Sequence, residues 1–284
     1  MIRCGKRAAI AKIVFSWAIG AAVASGLVSP ALAADLSARD IAILLFHAAP
    51  ASHPSLNNRN LMRLDLAGLD FKKADLRQSN FFGSDLSGAN LSDADLSGAK
   101  LDRVTLIGAR LDHAKLDDGS LMRPSTFSGL TPLPHEAPSL KGASLKRVHF
   151  FGDFTGSDFS GSDLTDSVCA PTSKSGFIEH IWRTIFLGAN LTDTNLTRAD
   201  MTRAQLSFAV LKGAILHGTN LQGADLSGAD LSGADLTDAD LTGADLTDAN
   251  VAGADLSGVR LHGANGLETL KGLSLARNSE KIVR

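Results

Sequence analysis

Residues 224–248 read ADLSG-ADLSG-ADLTD-ADLTG-ADLTD, five copies of one five-residue unit. The unit extends well beyond this stretch, because every fifth residue from Phe186 to Leu261 is apolar, and thirteen of these sixteen residues are leucine. Alanine stands two residues before twelve of the sixteen. The other four positions hold Thr184, Thr194, Thr219 and Val259. An earlier block, from Leu56 to Leu121, carries an apolar residue at all fourteen of its fifth positions. A period of five therefore decides the fold.

Neither an α-helix nor a continuous strand can use a period of five. On a helix, five residues turn through about 500°, so successive leucines drift by about 140° and form no single stripe. On a strand, five is an odd number, so successive leucines alternate between the two faces. The chain must therefore change direction about once in every repeat.

Inside and outside positions follow from the spacing within one repeat. Alanine and leucine are two residues apart, so they point to the same side of an extended segment. The Asp or Asn between them and the Ser, Thr, Gly or Asp after them point outward. These outer residue types form turns, because Gly tolerates positive φ and Asp or Asn bonds its own backbone. The pattern predicts a solenoid with one short side per repeat.

The repeat resembles that of the pentapeptide-repeat protein family, whose consensus A-(D/N)-L-x-x is matched by residues 224–228 and their neighbours. The resemblance implies an all-β solenoid, a right-handed quadrilateral β-helix in which four repeats make one coil. About 36 repeats can be counted, in blocks at 56–121 and 181–265 and in a degenerate stretch between them. They predict about nine coils and, at ~4.8 Å per coil, a stack on the order of 40 Å long.

Residues 1–33 have the pattern of a secretory signal peptide. A cationic start is followed by the apolar or small segment 13–28 and by Ala31-Leu32-Ala33, an Ala-x-Ala cleavage site. We expect cleavage between Ala33 and Ala34 and a periplasmic or secreted protein. An uncleaved membrane anchor is the alternative, although the apolar core is shorter than the ~20 residues that span a bilayer. Removal of residues 1–33 leaves 24 basic and 30 acidic residues and a single cysteine, Cys169.

Both ends of the predicted solenoid have a candidate cap. Within residues 34–55, Ser37 and Asp40 approximate a capping box and predict a helix over 37–48 that plugs the first coil. Residues 266–284 keep leucines at 267, 270, 273 and 275 and then turn polar, which predicts a short cap with a frayed tail. Such caps are needed because a solenoid end exposes unpaired backbone and apolar core.

Residues 122–180 interrupt the repeat with two expected loops. Residues 122–142 contain four prolines, which do not suit interior strands, and residues 167–180 also break the pattern. Between the loops phenylalanine replaces leucine, and the spacing slips to four at Phe154. Leu121 and Ile181 are 60 residues apart, a multiple of twenty, so the second block is expected to resume on the same face. The loops are either binding elements or neutral insertions, and the sequence does not decide between them.

The sequence predicts no enzyme, because it lacks a converging catalytic constellation, and it predicts no cofactor and no metal site. The closest motif, His135-Glu136-Ala137-Pro138, lacks the second histidine of a zinc-protease helix. The repeated aspartates recur because the repeat recurs, so each is a turn residue before it is a catalytic candidate. Cys169 is expected to be a half-buried structural thiol. A non-enzymatic structural or protein-binding scaffold is therefore the predicted function.

The charge distribution supplies one candidate surface and one alternative function. Four repeats per coil place Asp225 above Asp245, and Asp235 above Asp255, in acidic columns that form the candidate binding surface. Quinolone-resistance members of the family resemble DNA in shape and charge and bind topoisomerases, which makes DNA mimicry the alternative. The predicted export and the balanced charge of residues 56–121 oppose it. The expected partner is an unidentified macromolecule, most simply a protein and not a nucleic acid, and a membrane only if the signal is uncleaved.

Overall fold

The computed structural model describes residues 33–49, 52–71, 73–129, 131–170 and 183–283. The predicted signal peptide, apart from Ala33, lies outside these residues. From Ala33 onward the described residues belong to one unit, whose backbone winds through repeated five-residue sides.

A ladder of single parallel bridges joins successive coils. Bridges form at every fifth residue and connect positions twenty residues apart in the regular blocks, as in the pairs Asp225–Asp245 and Asp230–Asn250. Each coil therefore has four bridging columns, which confirms a solenoid of pentapeptide repeats. The column that starts at Asn60 ends at Val283 and contains eleven levels. Eleven levels are separated by ten turns of the chain, one more than the nine coils that the sequence predicts. At ~4.8 Å per turn the stack is about 48 Å long.

A tight turn closes each repeat and explains the two residues after leucine. In the repeat 224–228, the amide of Ala229 donates to the carbonyl of Leu226 at 3.0 Å, and Gly228 has a φ of 65°. A hydrogen bond across four residues with positive φ at the third is the signature of a type II turn. Asp225 reinforces this turn, because its carboxylate accepts from the amide of Ser227 at 3.0 Å.

The predicted inside positions are confirmed. Leucines and alanines of the regular repeats, such as Leu231 and Ala229, are fully buried and form one core cluster. Threonine can replace the inward alanine because its hydroxyl finds a carbonyl of the preceding coil. Thr219 donates to the carbonyl of Leu196 at 2.7 Å, and Thr194 does the same to that of Phe159 at 2.9 Å. No hydroxyl is stranded in the core at these two positions.

Phenylalanines fill the interior of the degenerate coil. Two short parallel strands mark its entry, β1 (Ser120–Met122) and β2 (His149–Phe151). The following side has one residue fewer than usual, because bridging residues His149 and Asp153 are four apart. The ring centroids of four buried phenylalanines lie 4.9–5.9 Å from one another. These are Phe150, Phe154, Phe159 and Phe186.

Both interruptions leave the coil and re-enter it on the next column. Arg110 bridges Ser139 across 29 residues, and Asp153 bridges Ile185 across 32, which is nine and twelve residues more than one coil. The first loop is narrower than the expected 122–142, because Ser125 still bridges Thr105 and the extra residues lie within 126–138. Ile181, on which the expected register of the second block depends, lies outside the described residues. The described part of this block begins with Ile185, which bridges Asp153 and Gln205.

Helix α1 (Ala38–His47) precedes the first coil. Its amino end carries the predicted capping box, in which Ser37 accepts from the amide of Asp40 at 3.2 Å and Asp40 accepts from that of Ser37 at 3.1 Å. Ile41 and Leu45 are buried within the core cluster of the solenoid. No helix among the described residues is long and apolar enough to cross a membrane.

The carboxyl-terminal tail continues the ladder, where the sequence predicted fraying. Lys271, Arg277 and Val283 bridge Asn250, Asp255 and Arg260, so the tail forms a last coil. Two short 3₁₀ helices, Leu273–Leu275 and Ser279–Lys281, form part of this coil. The expectation failed because the tail pairs through backbone groups, which its polar side chains do not reveal.

Candidate functional site

The four predicted acidic residues form two columns rather than one surface. Asp225 bridges Asp245, and Asp235 bridges Asp255, as the period of twenty predicts. The two columns are ten residues apart, which is half a coil. A partner that contacts one column through a flat surface therefore does not reach the other, so we treat them as two separate sites.

The carboxylates of these columns are already bonded to the coil wall. Asp225 accepts from the hydroxyl of Ser207 at 2.7 Å in addition to its own turn, and Asp255 accepts from the side-chain amide of Asn278 at 2.9 Å. Partial burial raises the pKa of Asp225, but the hydrogen bonds from Ser227 and Ser207 outweigh it and lower the pKa overall. The hydrogen bond from Asn278 lowers the pKa of Asp255. Both groups are therefore turn residues that keep their negative charge.

Two neighbouring coils carry opposite charge. Residues 221–240 contain five acids and no base, whereas residues 201–220 contain no acid, two bases and one histidine. The five acids are Asp225, Asp230, Asp235, Asp238 and Asp240. The two bases, Arg203 and Lys212, belong to none of the ion pairs of the described residues, which elsewhere include Arg198–Asp166. The acidic region thus begins at a sharp boundary.

The first loop is held by its own glutamate. Glu136 is buried and accepts from the hydroxyl of Ser128 and from the amide of Leu133 at 3.2 Å. The hydrogen bond from Ser128 lowers the pKa of Glu136. The loop also touches the coil below, because the amide of Gly108 donates to the carbonyl of Glu136. The glutamate of the His-Glu-Ala-Pro motif is therefore a structural residue of the loop.

An open groove lies beside the degenerate coil. Its volume is about 330 Å³, and two arginines are among the residues that line it. The residues that line it include Arg123, Pro124, Asp153, Arg183 and Ile185. Asp153 is engaged in its own turn, since it accepts from the amide of Thr155 at 2.9 Å. The groove offers positive charge at an open surface and no catalytic pair.

An apolar cavity lies inside the last coils. Its volume is about 120 Å³, and it is lined by leucines of the regular repeats together with the leucines of the tail. Its lining includes Leu236, Leu256, Leu261, Leu267 and Leu270. Since every lining side chain is apolar, the cavity has no polar group that could orient a ligand. It is a packing defect under the last coil.

The remaining chemistry-bearing candidate, Cys169, is inert. It occupies an inward leucine position and is fully buried, deeper than the half-buried place that we expected. Burial raises the pKa of the Cys169 thiol to about 12, so the reactive thiolate is absent at neutral pH. Among the residues that the structure describes, no group of histidine, cysteine or acidic side chains is arranged to hold a metal ion.

One exposed apolar corner was missed by the sequence reasoning. Leu187, Phe208 and Val210 are 41%, 66% and 37% exposed. They lie on two successive coils, because Asn190 bridges Val210 and the amide of Gly188 donates to the carbonyl of Ser207 at 3.0 Å. The signal was present in the sequence as departures from the repeat, since Val210 replaces the usual Asp or Asn and Phe208 replaces a glycine or polar turn residue.

The family model for pentapeptide repeats matches this chain in eight copies, over residues 60–98, 79–118, 189–228 and 224–263. No curated protein matches the chain. Among solved structures, the chain is similar to HetL, a pentapeptide repeat protein involved in heterocyst differentiation regulation in the cyanobacterium Nostoc. The identity is 26% over 79% of this chain and 91% of HetL, with a TM-score of 0.43.

Two further solved structures are also pentapeptide-repeat proteins. A protein from the Arabidopsis thaliana thylakoid lumen is 36% identical over 29% of this chain and 57% of its own, with a TM-score of 0.28. QnrB1, a plasmid-mediated fluoroquinolone resistance protein, is 21% identical over 75% of this chain and 94% of its own, with a TM-score of 0.29. All three TM-scores are below 0.5.

Proposed function

Because this chain belongs to the pentapeptide-repeat family, we propose that it is a non-enzymatic, exported scaffold that binds another protein. The observation that carries the proposal is the ladder itself. It holds outward side chains in fixed columns through eleven levels, while the repeated carboxylates are used in the turns of the coil wall. A surface ordered in this way loses little side-chain freedom on binding, which favours recognition over chemistry.

The finer architecture is part of the same proposal. The β-helix is right-handed and quadrilateral, with helix α1 as a plug over its first coil. The burial of Ile41 and Leu45 in the solenoid core supports the role of the helix. The four bridging columns per coil support four sides.

Export is proposed from the charge and apolar pattern of residues 1–33. The mature part contacts the first coil just after the proposed cleavage site, where the amide of Asp35 donates to the carbonyl of Asn60 at 2.7 Å. Mass spectrometry of the amino terminus after cell fractionation tests this. A chain that starts at Ala34 outside the cytoplasm is expected, and an intact Met1 start in the cytoplasm would contradict export.

Affinity capture from the exported compartment tests the binding function. Tagged protein should recover a stoichiometric protein partner. Two variants decide whether the loops take part: one with residues 126–138 shortened to four residues and one without residues 171–182, each of which restores the five-residue spacing of the bridges. A protein of equal size with unrelated repeats serves as the control bait. Recovery of no specific partner by the full chain or by either variant counts against the scaffold.

DNA mimicry is the second candidate, and the charge of residues 221–240 favours it. Five acids without a base in one coil give a dense negative surface at fixed spacing. Purified mature protein should then inhibit a topoisomerase in vitro. The fourfold variant Asp225→Lys, Asp235→Lys, Asp245→Lys and Asp255→Lys should lose this inhibition. Unchanged inhibition would exclude the acidic columns as its source.

A further inference from the structure

One corner of the solenoid carries a row of arginines. Arg103, Arg123 and Arg203 each stand three residues after a member of the continuous bridging column that runs from Asn60 to Val283. They therefore occupy the same corner at the third, fourth and seventh levels of that column. All three are exposed and have a φ of 57° or 58°, in the left-handed region that favours glycine.

Arg183 belongs to the same row. It precedes Ile185 by two residues, and Ile185 bridges Gln205, which Arg203 precedes by the same distance. Arg123 and Arg183 also line one groove. The row extends from the third level to the seventh, which is about 19 Å at ~4.8 Å per turn of the chain. We define the arginine corner as Arg103, Arg123, Arg183 and Arg203.

A different corner shows how arginines at this turn position are neutralised within the fold. There Asp118, Arg147, Asp166 and Arg198 occupy successive levels, each three residues after a bridging residue. Arg147 pairs with Asp118 at 2.6 Å, and Arg198 pairs with Asp166 at 2.7 Å. The φ values of the two arginines, 57° and 56°, match those of the arginine corner. An arginine at this turn can therefore reach an acid on the next level when one is present.

The arginine corner lacks such acidic partners. Among the described residues, Arg103, Arg183 and Arg203 belong to none of the ion pairs. The guanidinium of Arg103 lies instead over the ring of Phe82, 5.6 Å from its centroid. The positive charges of these three residues are therefore not neutralised by contact with a neighbouring coil.

The carboxylates nearest the corner are bonded to the coil wall. On the two sides that meet at this corner, the described residues from the third to the seventh level contain Asp102, Asp153 and Asp200. Each accepts from a backbone amide, at 2.9–3.1 Å. Lys100 adds a fifth base, so this surface holds five bases against three acids. These residues lie within 100–105, 120–125, 149–153, 183–185 and 200–205.

The positive surface ends at the seventh level. Asp225 follows on the next level, where it bridges Gln205, and Arg183 acts on it electrostatically. Its carboxylate accepts from the hydroxyl of Ser207 at 2.7 Å and from the amide of Ser227 at 3.0 Å. Because the acidic coil of residues 221–240 begins here, an anion that follows the corner is confined to the levels that carry arginine.

The arginine corner has no apolar anchor. None of the large apolar side chains that are exposed among the described residues lies within the ranges of this surface. Protein interfaces depend on apolar and aromatic anchors, and single-stranded nucleic acids bind through bases stacked on exposed rings. Guanidinium groups alone suit phosphate, because each offers two parallel N–H donors with a permanent positive charge. The chemistry of the corner therefore favours phosphate groups over bases or an apolar protein surface.

We propose that the arginine corner binds a linear polyanion that carries phosphate groups along a flexible backbone and no bases. The arginines follow one another at steps of one or two levels, which is about 5 or 10 Å. A flexible chain can follow these steps, whereas a compact anion cannot reach all four arginines at once. This binding activity is separate from the acidic columns and goes beyond the protein-binding scaffold proposed above.

Fluorescence anisotropy with labelled long-chain polyphosphate tests the proposal on the purified protein. Arg103→Gln combined with Arg203→Gln should weaken binding roughly tenfold or more, because hydrogen bonds to charged groups are stronger than neutral ones. The affinity should fall with rising salt, since exposed charges are screened. Inorganic triphosphate should bind roughly tenfold more weakly than the long chain, because it contacts fewer arginines at a time.

The matched control is Arg147→Gln combined with Arg198→Gln. It changes the net charge by the same amount and at the same turn position, but on the corner whose arginines are paired. Its affinity for polyphosphate should stay close to that of the original protein. Arg103→Lys combined with Arg203→Lys keeps the charge and should recover most of the affinity, which separates a loss of charge from a loss of fold.

Three results would overturn the inference. These are no binding of polyphosphate by the original protein, an equal loss of affinity in the two glutamine variants, and equal affinity for triphosphate and the long chain. Capture of a protein partner should be the same for the original protein and for Arg103→Gln with Arg203→Gln. Failure of the polyanion site is therefore distinguishable from failure of the scaffold function.

Two other occupants have distinct outcomes. Single-stranded DNA of equal charge that binds more tightly than polyphosphate would identify recognition of bases and overturn the proposal. Co-sedimentation with vesicles of phosphatidylglycerol that is lost in Arg103→Gln with Arg203→Gln would identify a membrane surface, with the same consequence. The proposal expects weaker binding of the DNA and no sedimentation with the vesicles that depends on these arginines.

Discussion

At the scale of the residue, each position of the repeat answers one physical demand. The inward pair fills the core, the residue between them bonds the turn, and the second residue after leucine takes positive φ. The sequence was sufficient to predict these roles, because spacing of two and turn chemistry are local properties. The repeat alone did not predict the exposed position of Phe208, because a period describes what recurs and Phe208 is visible only as a departure from it.

Core packing leads to a first prediction at this scale. Leu231→Ala should lower the free energy of unfolding by about 2–5 kcal/mol, because Leu231 is fully buried. Ala229→Leu should also destabilise, by about 1–3 kcal/mol, through overpacking of the narrow interior. Denaturant unfolding measures both, with the outward Ser232→Ala as control. Equal tolerance at positions 229 and 232 would contradict the inward position of Ala229.

The turn leads to a second prediction. Gly233 has a φ of 68°, and an added Cβ there would meet no atom within 4 Å. Gly233→Ala should therefore cost about 1 kcal/mol from backbone strain alone, without a steric clash. Denaturant unfolding against Ser232→Ala checks the value. An unchanged or higher stability would mean that the turn relaxes to another type.

At the scale of the element, the sequence predicted helix α1 well but did not predict the boundaries of the two loops. The capping box and the apolar face were readable, because both rely on contacts within four residues. The loop boundaries were not, because whether residue 125 stays in the coil depends on its bridge to residue 105. Four prolines signalled an interruption, but they did not show where the backbone rejoined the next column.

The helix makes a prediction of its own. Ile41→Asp places a charge against the core cluster, and the first coil should lose its cover and associate with other molecules. Sedimentation velocity should detect oligomers or aggregates. The control is Phe46→Asp, which changes the same helix at a residue that is 79% exposed. This variant should sediment as the original protein does. Equal behaviour of the two variants would remove the argument for a plug.

At the scale of the whole molecule, acid sensitivity is spread over many bonded carboxylates. Partial burial raises the pKa of Asp240, but hydrogen bonds from Thr242 and Gln222 outweigh it and bring the pKa to about 2. A carboxyl whose pKa is lower in the folded state stabilises the fold above its unfolded value of 3.8. That contribution disappears as the pH falls toward 2.

The corresponding measurement is the melting temperature between pH 5 and about 2. The melting temperature of the original protein should decrease steeply as the pH falls below about 4. That of Asp240→Asn should decrease less steeply over the same pH range. Asp238→Asn is the control, because its carboxylate makes none of the bonds to Thr242 and Gln222. If the melting temperature of Asp240→Asn fell with pH as steeply as that of the original protein, the role of this carboxylate would be contradicted.

The way in which the two loops rejoin the ladder makes them exchangeable inserts. Each departs at one corner and returns on the adjoining column, so the four columns stay aligned whether the excursion has nine extra residues or twelve. A change in the length of either loop therefore leaves every residue after the loop in its own column. A foreign peptide grafted at either point should therefore be displayed without rotating any face of the coils that follow.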